Sequence, residues 1–276
     1  MQQTTASTLV IDTSYGSTVG MVGGEPVYEP DSRSHVERLQ PNIMQAVESA
    51  GINVSEISRI VVGTGPAPFT GLRAGIVAAK VLAFATGAEL LGQDVLEPQA
   101  IWQAQRRLDS GDTDVLTGNH LILAVNDARR RQLYYRLYET KLGGHDGDMH
   151  IELPAAIGDM DIAYPNDIVE RVNAYVANLA AEQLERPVIV DVIGHGVEKY
   201  ASAWVNLIRR GDLIDDSVLH GDGANGLRLF ARTAAMHQKA GDECPSEPLY
   251  LRRPDVSVPN PLKRVLNHGG ADKVAQ

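Results

Sequence analysis

The chain has one cysteine, Cys244, in 276 residues. No intramolecular disulfide can form, which excludes a disulfide-stapled secreted domain and fits a reducing compartment. A lone thiol also excludes a thiolate zinc cage. Aromatic residues are scarce at 5%, with nine Tyr, three Phe and two Trp, so the core must be mostly Val, Ile, Leu and Ala. Positive charge is short as well: 25 Lys and Arg face 35 Asp and Glu, for a net charge of −10. A chain that holds nucleic acid by itself needs clustered cations. This balance argues against such a chain and leaves open a subunit that works beside a basic partner. The longest apolar stretch, Ile76 to Ala85, is broken by Lys80 and is too short to span a bilayer. Met1 to Ser7 is polar and uncharged, without a signal-peptide pattern. The expectation is a soluble cytoplasmic protein with no membrane contact.

At 43% hydrophobic and 22% charged residues the composition is globular, enough for one large domain or two modest ones. Leu9-Val10-Ile11 reads as a buried strand ending at Asp12-Thr13-Ser14, with a returning strand at Thr18–Val22 and another at Pro26–Tyr28. Ser34 and Glu37 form a capping-box pair opening a helix to Ala50, with Val36, Leu39, Ile43 and Val47 on one face and Pro41 expected to kink it. Ile60–Val62 is a strand, and the Gly/Pro-rich loop Gly63–Gly71 leads to a helix over 72–86 with Thr70 as its N-cap. A strand at Glu89–Leu91 and a helix from Gln99 to Arg107 complete this half. The second half opens with a strand at Leu121–Val125 and its return at Gln132–Tyr138. There follow a helix over 167–184, a strand over 188–193, and helices over 197–208 and 225–240.

Leu9–Tyr28 and Leu121–Tyr138 share one layout: a buried run, an Asp, a short polar turn and an antiparallel return. This predicts an α/β duplication with mixed sheets. The predicted lobes are 1–118 and 119–255, the last helix packing back on the first lobe, with a loose tail over 256–276. A ligand cleft is then expected between lobes, near the two Asp-bearing turns.

The motifs separate into chemistry and scaffold. Asp12-Thr13-Ser14 offers a carboxylate and two hydroxyls, which suit either a metal–phosphate group or a plain turn. The loop Gly63–Gly71 lacks the Gly-Lys-Ser/Thr of a Walker A loop, and Pro66 and Pro68 remove two N–H donors. A stiff, shaped loop is expected rather than a phosphate cradle. The helix over 72–86 carries Ala74, Gly75, Ala78, Ala79, Ala83 and Ala85 among Ile76, Val77, Val81, Leu82 and Phe84. It is apolar nearly all round, so more than one face should be covered. His145, Asp146, Asp148 and His150 cluster, a solvated loop rather than a metal site. No His-x-x-x-His, no Gly-x-Ser-x-Gly elbow and no base for Cys244 appear. Arg129-Arg130-Arg131 reads as a charged hairpin turn, or as a contact for an acidic partner or RNA.

The run Gly65-Pro66-Ala67-Pro68-Phe69-Thr70-Gly71-Leu72-Arg73-Ala74-Gly75 resembles the Gly-Pro-Gly-Ser-Phe-Thr-Gly-Leu-Arg-x-Gly signature of the TsaB family, the bacterial YeaZ-type threonylcarbamoyladenosine biosynthesis proteins. Ile11-Asp12-Thr13-Ser14, His35–Pro41, Asp127-Ala128-Arg129, Tyr134-Tyr135 and Pro248–Arg252 follow the same pattern, so the resemblance covers about residues 8–255. It implies two actin/Hsp70/sugar-kinase-like (RNase H-like) lobes and no catalytic residues or metal of the chain's own. It implies a scaffold and activator subunit that forms a heterodimer with a TsaD-like transferase, is joined by a TsaE-like ATPase, and forms a homodimer in isolation. tRNA is reached only through the complex, no cofactor is bound tightly, and ATP is handled by partner subunits.

The implied pairing surface lies on the first two helices of the first lobe, here His35, Leu39, Ile43, Val47, Arg73, Ala74, Ala78, Val81 and Leu82. The implied degenerate nucleotide cleft comprises Asp12, Thr13, Ser14, Gly65, Thr70, Gly71 and Asp127. Two departures bear on that cleft. Ala67-Pro68 stiffens the loop, and Arg129 is expected to crowd a second phosphate site. The alternative is a small ATP-dependent phosphotransferase of the same fold, using Asp12.

Overall fold

The computed structural model describes residues 7–31, 35–112, 119–144, 149–182 and 188–252. The first half runs β1 (Thr8–Asp12), β2 (Ser17–Met21), β3 (Val27–Glu29), α1 (His35–Ser49), β4 (Arg59–Gly63), α2 (Phe69–Thr86), β5 (Glu89–Gln93) and α3 (Glu97–Asp109). β1 and β2 are buried at every residue and β4 at four of five, as expected of aliphatic strands covered on both faces. β1 pairs antiparallel with β2 and parallel with β4, giving the sheet order β3-β2-β1-β4-β5.

The second half runs β6 (Asn119–Asp127), β7 (Leu133–Glu139), β8 (Leu142–Gly143), β9 (His150–Ile151), β10 (Ala155–Ala163), α4 (Pro165–Glu182), β11 (Val188–Gly194), α5 (Ala201–Trp204), β12 (Arg210–Ile214), α6 (Val218–Gly221) and α7 (Gly223–Ala240). Its main sheet has the order β10-β7-β6-β11-β12. Strand for strand, this is the first sheet again, with the same antiparallel and parallel pairs.

Several expectations change. α2 begins at Phe69 with Pro68 as its N-cap and no side-chain cap, so Thr70 sits in the first turn. Proline's fixed φ suits the entry to a helix but supplies no side-chain acceptor for the first-turn N–H groups. At the other end Gly87 closes α2 in the left-handed region, φ 73°. α1 is continuous through Pro41; Ser34 of the expected capping box lies outside the described residues. In place of a helix over 197–208 there are turns and the single turn α5, closed by the buried Trp204 indole donating to the Val197 carbonyl at 2.9 Å. Strands β10 and β12 were not expected. β10 carries an irregularity between Ile157 and Asp161 that disturbs its alternation, and β12 is a half-exposed edge. Residues 145–148 and 253–276 lie outside the described part.

The two sheets exchange helices. α3, from the first half, packs on β6 and β11, while α7, from the second, packs on β1, β2, β4 and β5. One core results, joining Val10, Val61 and Leu91 to Ile122, Ala124 and Ile193 through Trp102, Leu227 and Phe230.

A buried charge network pins α3 to the second sheet. The fully buried Asp191 of β11 receives Arg107 Nη2 at 2.7 Å and Nε at 3.0 Å, Gln103 Nε2 at 2.7 Å and the Asp212 amide at 2.7 Å. His120 Nε2 lies 3.0 Å from the same carboxylate. Burial alone would raise the Asp191 pKa, but the bonds from His120, Arg107 and Gln103 outweigh it and hold the carboxyl well below the usual range. Its stabilising effect is therefore present above the unfolded carboxyl pKa and is lost as the pH falls below it. Asp191→Asn leaves Arg107 without its buried partner and is expected to cost about 3–5 kcal/mol at pH 7, read by urea denaturation. A loss below about 1 kcal/mol would show that Arg107 finds an equal partner in Asp112 or Asp212.

Candidate functional site

Two surfaces gather the residues singled out above. The first lies between the lobes, where β1, β4, β6 and β11 end. Asp12 is buried, and its Oδ1 accepts from the Ser14 amide at 3.2 Å and the Ser14 hydroxyl at 2.7 Å. Only glycine fits beside it, because a Cβ on Gly63 would stand 2.1 Å from Asp12 Oδ1. Likewise a Cβ on Gly75 of α2 would stand 2.3 Å from Thr13 Oγ1, so α2 comes down directly on the β1 turn. The loop from Thr64 to Pro68 includes Gly65 at φ 93° with a cis bond to Pro66, whose carbonyl accepts from Asn126 Nδ2 at 3.4 Å.

The inner part of this cleft, between Asp12, Tyr15, Asn126, His195 and Val218, holds about 20 Å³, room for one water. At its mouth the rings of Tyr15 and His195 stack with centroids 3.7 Å apart. Burial lowers the His195 pKa to about 4, so the imidazole is neutral at pH 7. Asp127 is engaged by Lys199 Nζ at 2.7 Å on one oxygen and by the Arg129 amide at 3.0 Å on the other. The cation on Asp127 is thus Lys199, while Arg129 lines an outer recess of about 740 Å³ with Thr13, Ser14, Phe69, Thr70 and Gly71. Of the expected cleft residues, Asp12, Thr13, Ser14 and Asp127 meet at the lobe boundary. Thr70 and Gly71 wall the outer recess, and Gly65 shapes the loop behind it. Among the described residues no group of three or more His, Cys, Asp or Glu is placed to hold a metal. Cys244 is half-buried, its thiol pushed up by burial and directed at the Ala234 carbonyl at 3.6 Å.

The second surface is the outer face of α1 and α2. α2 buries Leu72, Ile76, Ala79 and Ala83 against its own sheet. Its opposite side carries Val77, Val81 and Phe84, which are 57%, 63% and 92% exposed. α1 adds Val36 and Met44, both 41% exposed. Between the helices runs an apolar groove of about 510 Å³, floored by Leu39 and Ile43 and walled by Ala74, Ala78, Val81 and Leu82. Val47 is not on this surface. It is 1% exposed and belongs to the lobe's own core, because an amphipathic helix turns its apolar face to its own sheet first. Leu39 and Ile43 are mostly buried for the same reason and show only as the groove floor. Arg73 stands exposed at the α2 N-terminal end, its guanidinium 4.9 Å from the Phe69 centroid. His35 is the first residue of α1. The sequence reading named Val36, Val77 and Phe84 as apolar helix residues without placing them on the pairing surface, and it did not name Met44. The available signal was that an all-apolar helix can bury only one side on its sheet, and Phe84 falls on the other. By length and composition α2 could cross a membrane, but its inward face is packed on β1 and β4.

Burial outweighs the bonds from Ser14 and the Thr13 backbone, and raises the Asp12 pKa to about 6. A carboxyl raised on folding takes up a proton in the folded state first, so stability falls as pH rises from about 4 to 6. Above that range the carboxylate costs up to about 3 kcal/mol. Asp12→Asn keeps an acceptor for Ser14 and removes the charge. It is expected to stabilise the chain by about 1–3 kcal/mol at pH 8 and to be neutral at pH 4, as read by denaturant unfolding at both pH values. A variant less stable than the wild type at pH 8 would show that the charge is held by an interaction stronger than its burial.

The model of the family described as "TsaD: tRNA N6-adenosine threonylcarbamoyltransferase" matches residues 27–152. An uncharacterized protein of Mycobacterium tuberculosis is 38% identical over 111 residues, 39% of this chain and 44% of that protein. The tRNA threonylcarbamoyladenosine biosynthesis protein TsaB of Escherichia coli is 27% identical over 119 residues, 42% of this chain and 46% of that protein. The chain thus spans less than half the length of these curated relatives. YeaZ from Pseudomonas aeruginosa has the same fold, with a TM-score of 0.55 at 24% identity, covering 89% of this chain and 100% of that one. The two sheets repeat one strand order, and the fold is that of YeaZ. The match to the TsaD-type model over residues 27–152, the likeness to E. coli TsaB and the YeaZ fold converge: the chain is similar to TsaB/YeaZ-type proteins.

Proposed function

We propose that the chain is a non-catalytic scaffold and activator subunit in tRNA threonylcarbamoyladenosine modification, pairing through α1 and α2 with a TsaD-like transferase. The observation that carries this reading is the bare outer face of α2: Val77, Val81 and Phe84 lie in a row beside an apolar groove. A face of this kind on a soluble lobe marks a protein interface, and small residues such as Ala74 and Ala78 let a facing helix approach closely. Burying Phe84 alone contributes about 1.5–3 kcal/mol. In isolation the same face serves a homodimer. A TsaE-like ATPase joins the pair, tRNA is reached through the complex, and the assembly works in the cytoplasm.

The narrow inner cleft supports the absence of chemistry in this subunit. Asp127 is neutralised by Lys199, and Tyr15 and His195 stack at the mouth, so ATP turnover is left to the partners. The phosphotransferase reading draws on one observation, the raised Asp12 beside a 740 Å³ recess. Micromolar ATP binding by the isolated chain would favour it.

Light scattering on a sizing column tests the pairing. The chain alone is expected to run as a dimer, and as a heterodimer when mixed with the TsaD-like protein of the same source. Ala78→Glu and Val81→Glu each bury an unpaired charge in the contact, expected to cost about 2–5 kcal/mol, and should weaken pairing at least thirtyfold. Val81 is 63% exposed in the free chain, so Val81→Glu should leave the melting temperature unchanged. Undiminished pairing by both variants would refute the surface.

A further inference from the structure

After α7 the chain turns back over the first lobe. Residues 242–252 run without helix or strand. The Gly92 amide of β5 donates to the Cys244 carbonyl at 2.9 Å, and the Leu249 amide donates to the Thr64 carbonyl at 2.8 Å. Between these bonds the segment follows α2. Glu247 pairs with Lys80 at 3.1 Å, and Tyr250 stacks on Phe69, the first residue of the helix, with centroids 4.9 Å apart. Arg252 then donates to the Ala128 carbonyl at 2.9 Å. The next residue, Arg129, lines the outer recess together with Phe69 and Val36, and Val36 also lines the α1–α2 groove. The chain therefore passes Arg252 with only the recess between it and the groove.

Beyond Arg252 the sequence itself supplies what the groove lacks. Leu262, Val265 and Leu266 recur at the spacing of one helical face. Asn260-Pro261 before them and Gly269 after them are residues suited to opening and closing a short helix. The cations here, Arg253, Lys263, Arg264 and Lys273, outnumber the acids, Asp255 and Asp272, in a chain whose net charge is −10. The groove offers the complement. Glu37, Met44 and Glu48 fall on one line of α1 at spacings of seven and four, and all three are exposed. Met44 lines the groove, so the two carboxylates stand along its rim. The reach suffices as well. Leu262 lies ten residues beyond Arg252, at most about 33–36 Å of extended chain. The groove begins at Ala74, about 7.5 Å along α2 from Phe69.

We propose that residues 260–268 of the chain's own tail occupy the α1–α2 groove in the free protein and leave it when a partner binds. Leu262, Val265 and Leu266 face the apolar floor of Leu39 and Ile43, and Lys263 meets the acidic rim of α1. An amphipathic turn laid in an apolar groove is a recurring mode of recognition. A segment tethered about ten residues away is present at roughly millimolar effective concentration, so it takes the groove ahead of a second copy in dilute solution. The docking does not depend on the proposed function; only its effect on pairing rests on that reading.

The test is a disulfide trap in the full chain carrying Cys244→Ser. Val81→Cys places a thiol in the groove and Leu266→Cys places one in the tail. With oxidised glutathione at low protein concentration, a disulfide within one chain is expected, seen on a non-reducing gel and located by peptide mapping. Leu213→Cys with Leu266→Cys is the control and should stay reduced, because Leu213 is 39% exposed but belongs to β12 of the second lobe. Leu262→Ser with Leu266→Ser in the otherwise native chain frees the groove. Self-pairing and pairing with the TsaD-like protein should then each tighten about tenfold, read by light scattering over a dilution series. The docking is overturned if groove and control pairs cross-link alike. It is also overturned if the disulfide forms only between two chains and grows with concentration, which would seat a second copy in the groove. Weaker pairing by the serine variant would overturn it too, by making the tail part of the partner contact. A cross-link within the chain, with the TsaD-like protein bound by neither form, would keep the docking and refute the proposed function. Equal pairing by both forms without a cross-link would refute the docking and keep the function.

Discussion

The close approach of α2 to the end of β1 is the constraint on which both candidate surfaces depend. Gly75 lets the helix settle on Thr13, and Gly63 lets the neighbouring strand pass Asp12. Seated there, α2 spends Leu72, Ile76, Ala79 and Ala83 on its own sheet. Because the helix is apolar on its other side as well, Val77, Val81 and Phe84 are left uncovered. The same seating brings Phe69, Thr70 and Gly71 to the lobe boundary beside Ser14 and Arg129. A bulkier residue at position 75 would lift the helix and move groove and recess together.

The second constraint is the exchange of helices between two copies of one sheet. α3 and α7 each cover the sheet of the other half, so the lobes share a core rather than meeting at a wet interface. Asp191 holds α3 from one side through Arg107 and Gln103, with His120 of β6 on the same carboxylate. At the opposite end His237 of α7 lies 2.5 Å from Glu97 of α3 and 2.8 Å from Asp242. The bond to Glu97 leads in raising its pKa to about 9, against the effect of burial.

Much of this was legible in the sequence where the signal is local. The aliphatic runs at Leu9–Ile11, Ile60–Val62 and Leu121–Val125 read as buried strands, and their shared layout exposed the duplication. What failed did so for identifiable reasons. β10 was missed because its alternation breaks near Gly158, and β12 because Arg210-Gly211-Asp212 is an exposed edge. In place of the helix expected over 197–208, turns carry the buried Val197, Trp204 and Leu207, and the Trp204 indole is bonded to the Val197 carbonyl. Val47 was assigned to a partner because periodicity identifies an apolar face without saying what covers it. The stack of Tyr15 on His195 and the Lys199–Asp127 pair join distant parts of the chain, and no local pattern announces them.

The central claim is that the outer face of α1 and α2 is where a TsaD-like protein sits. Hydrogen–deuterium exchange of the full chain, with and without that protein, addresses it most directly. The account predicts slowed exchange in residues 36–44 and 74–85 on addition of the partner, with α4 and β10 unchanged. Protection confined to the second lobe, or no protection in α2 despite complex formation, would contradict it.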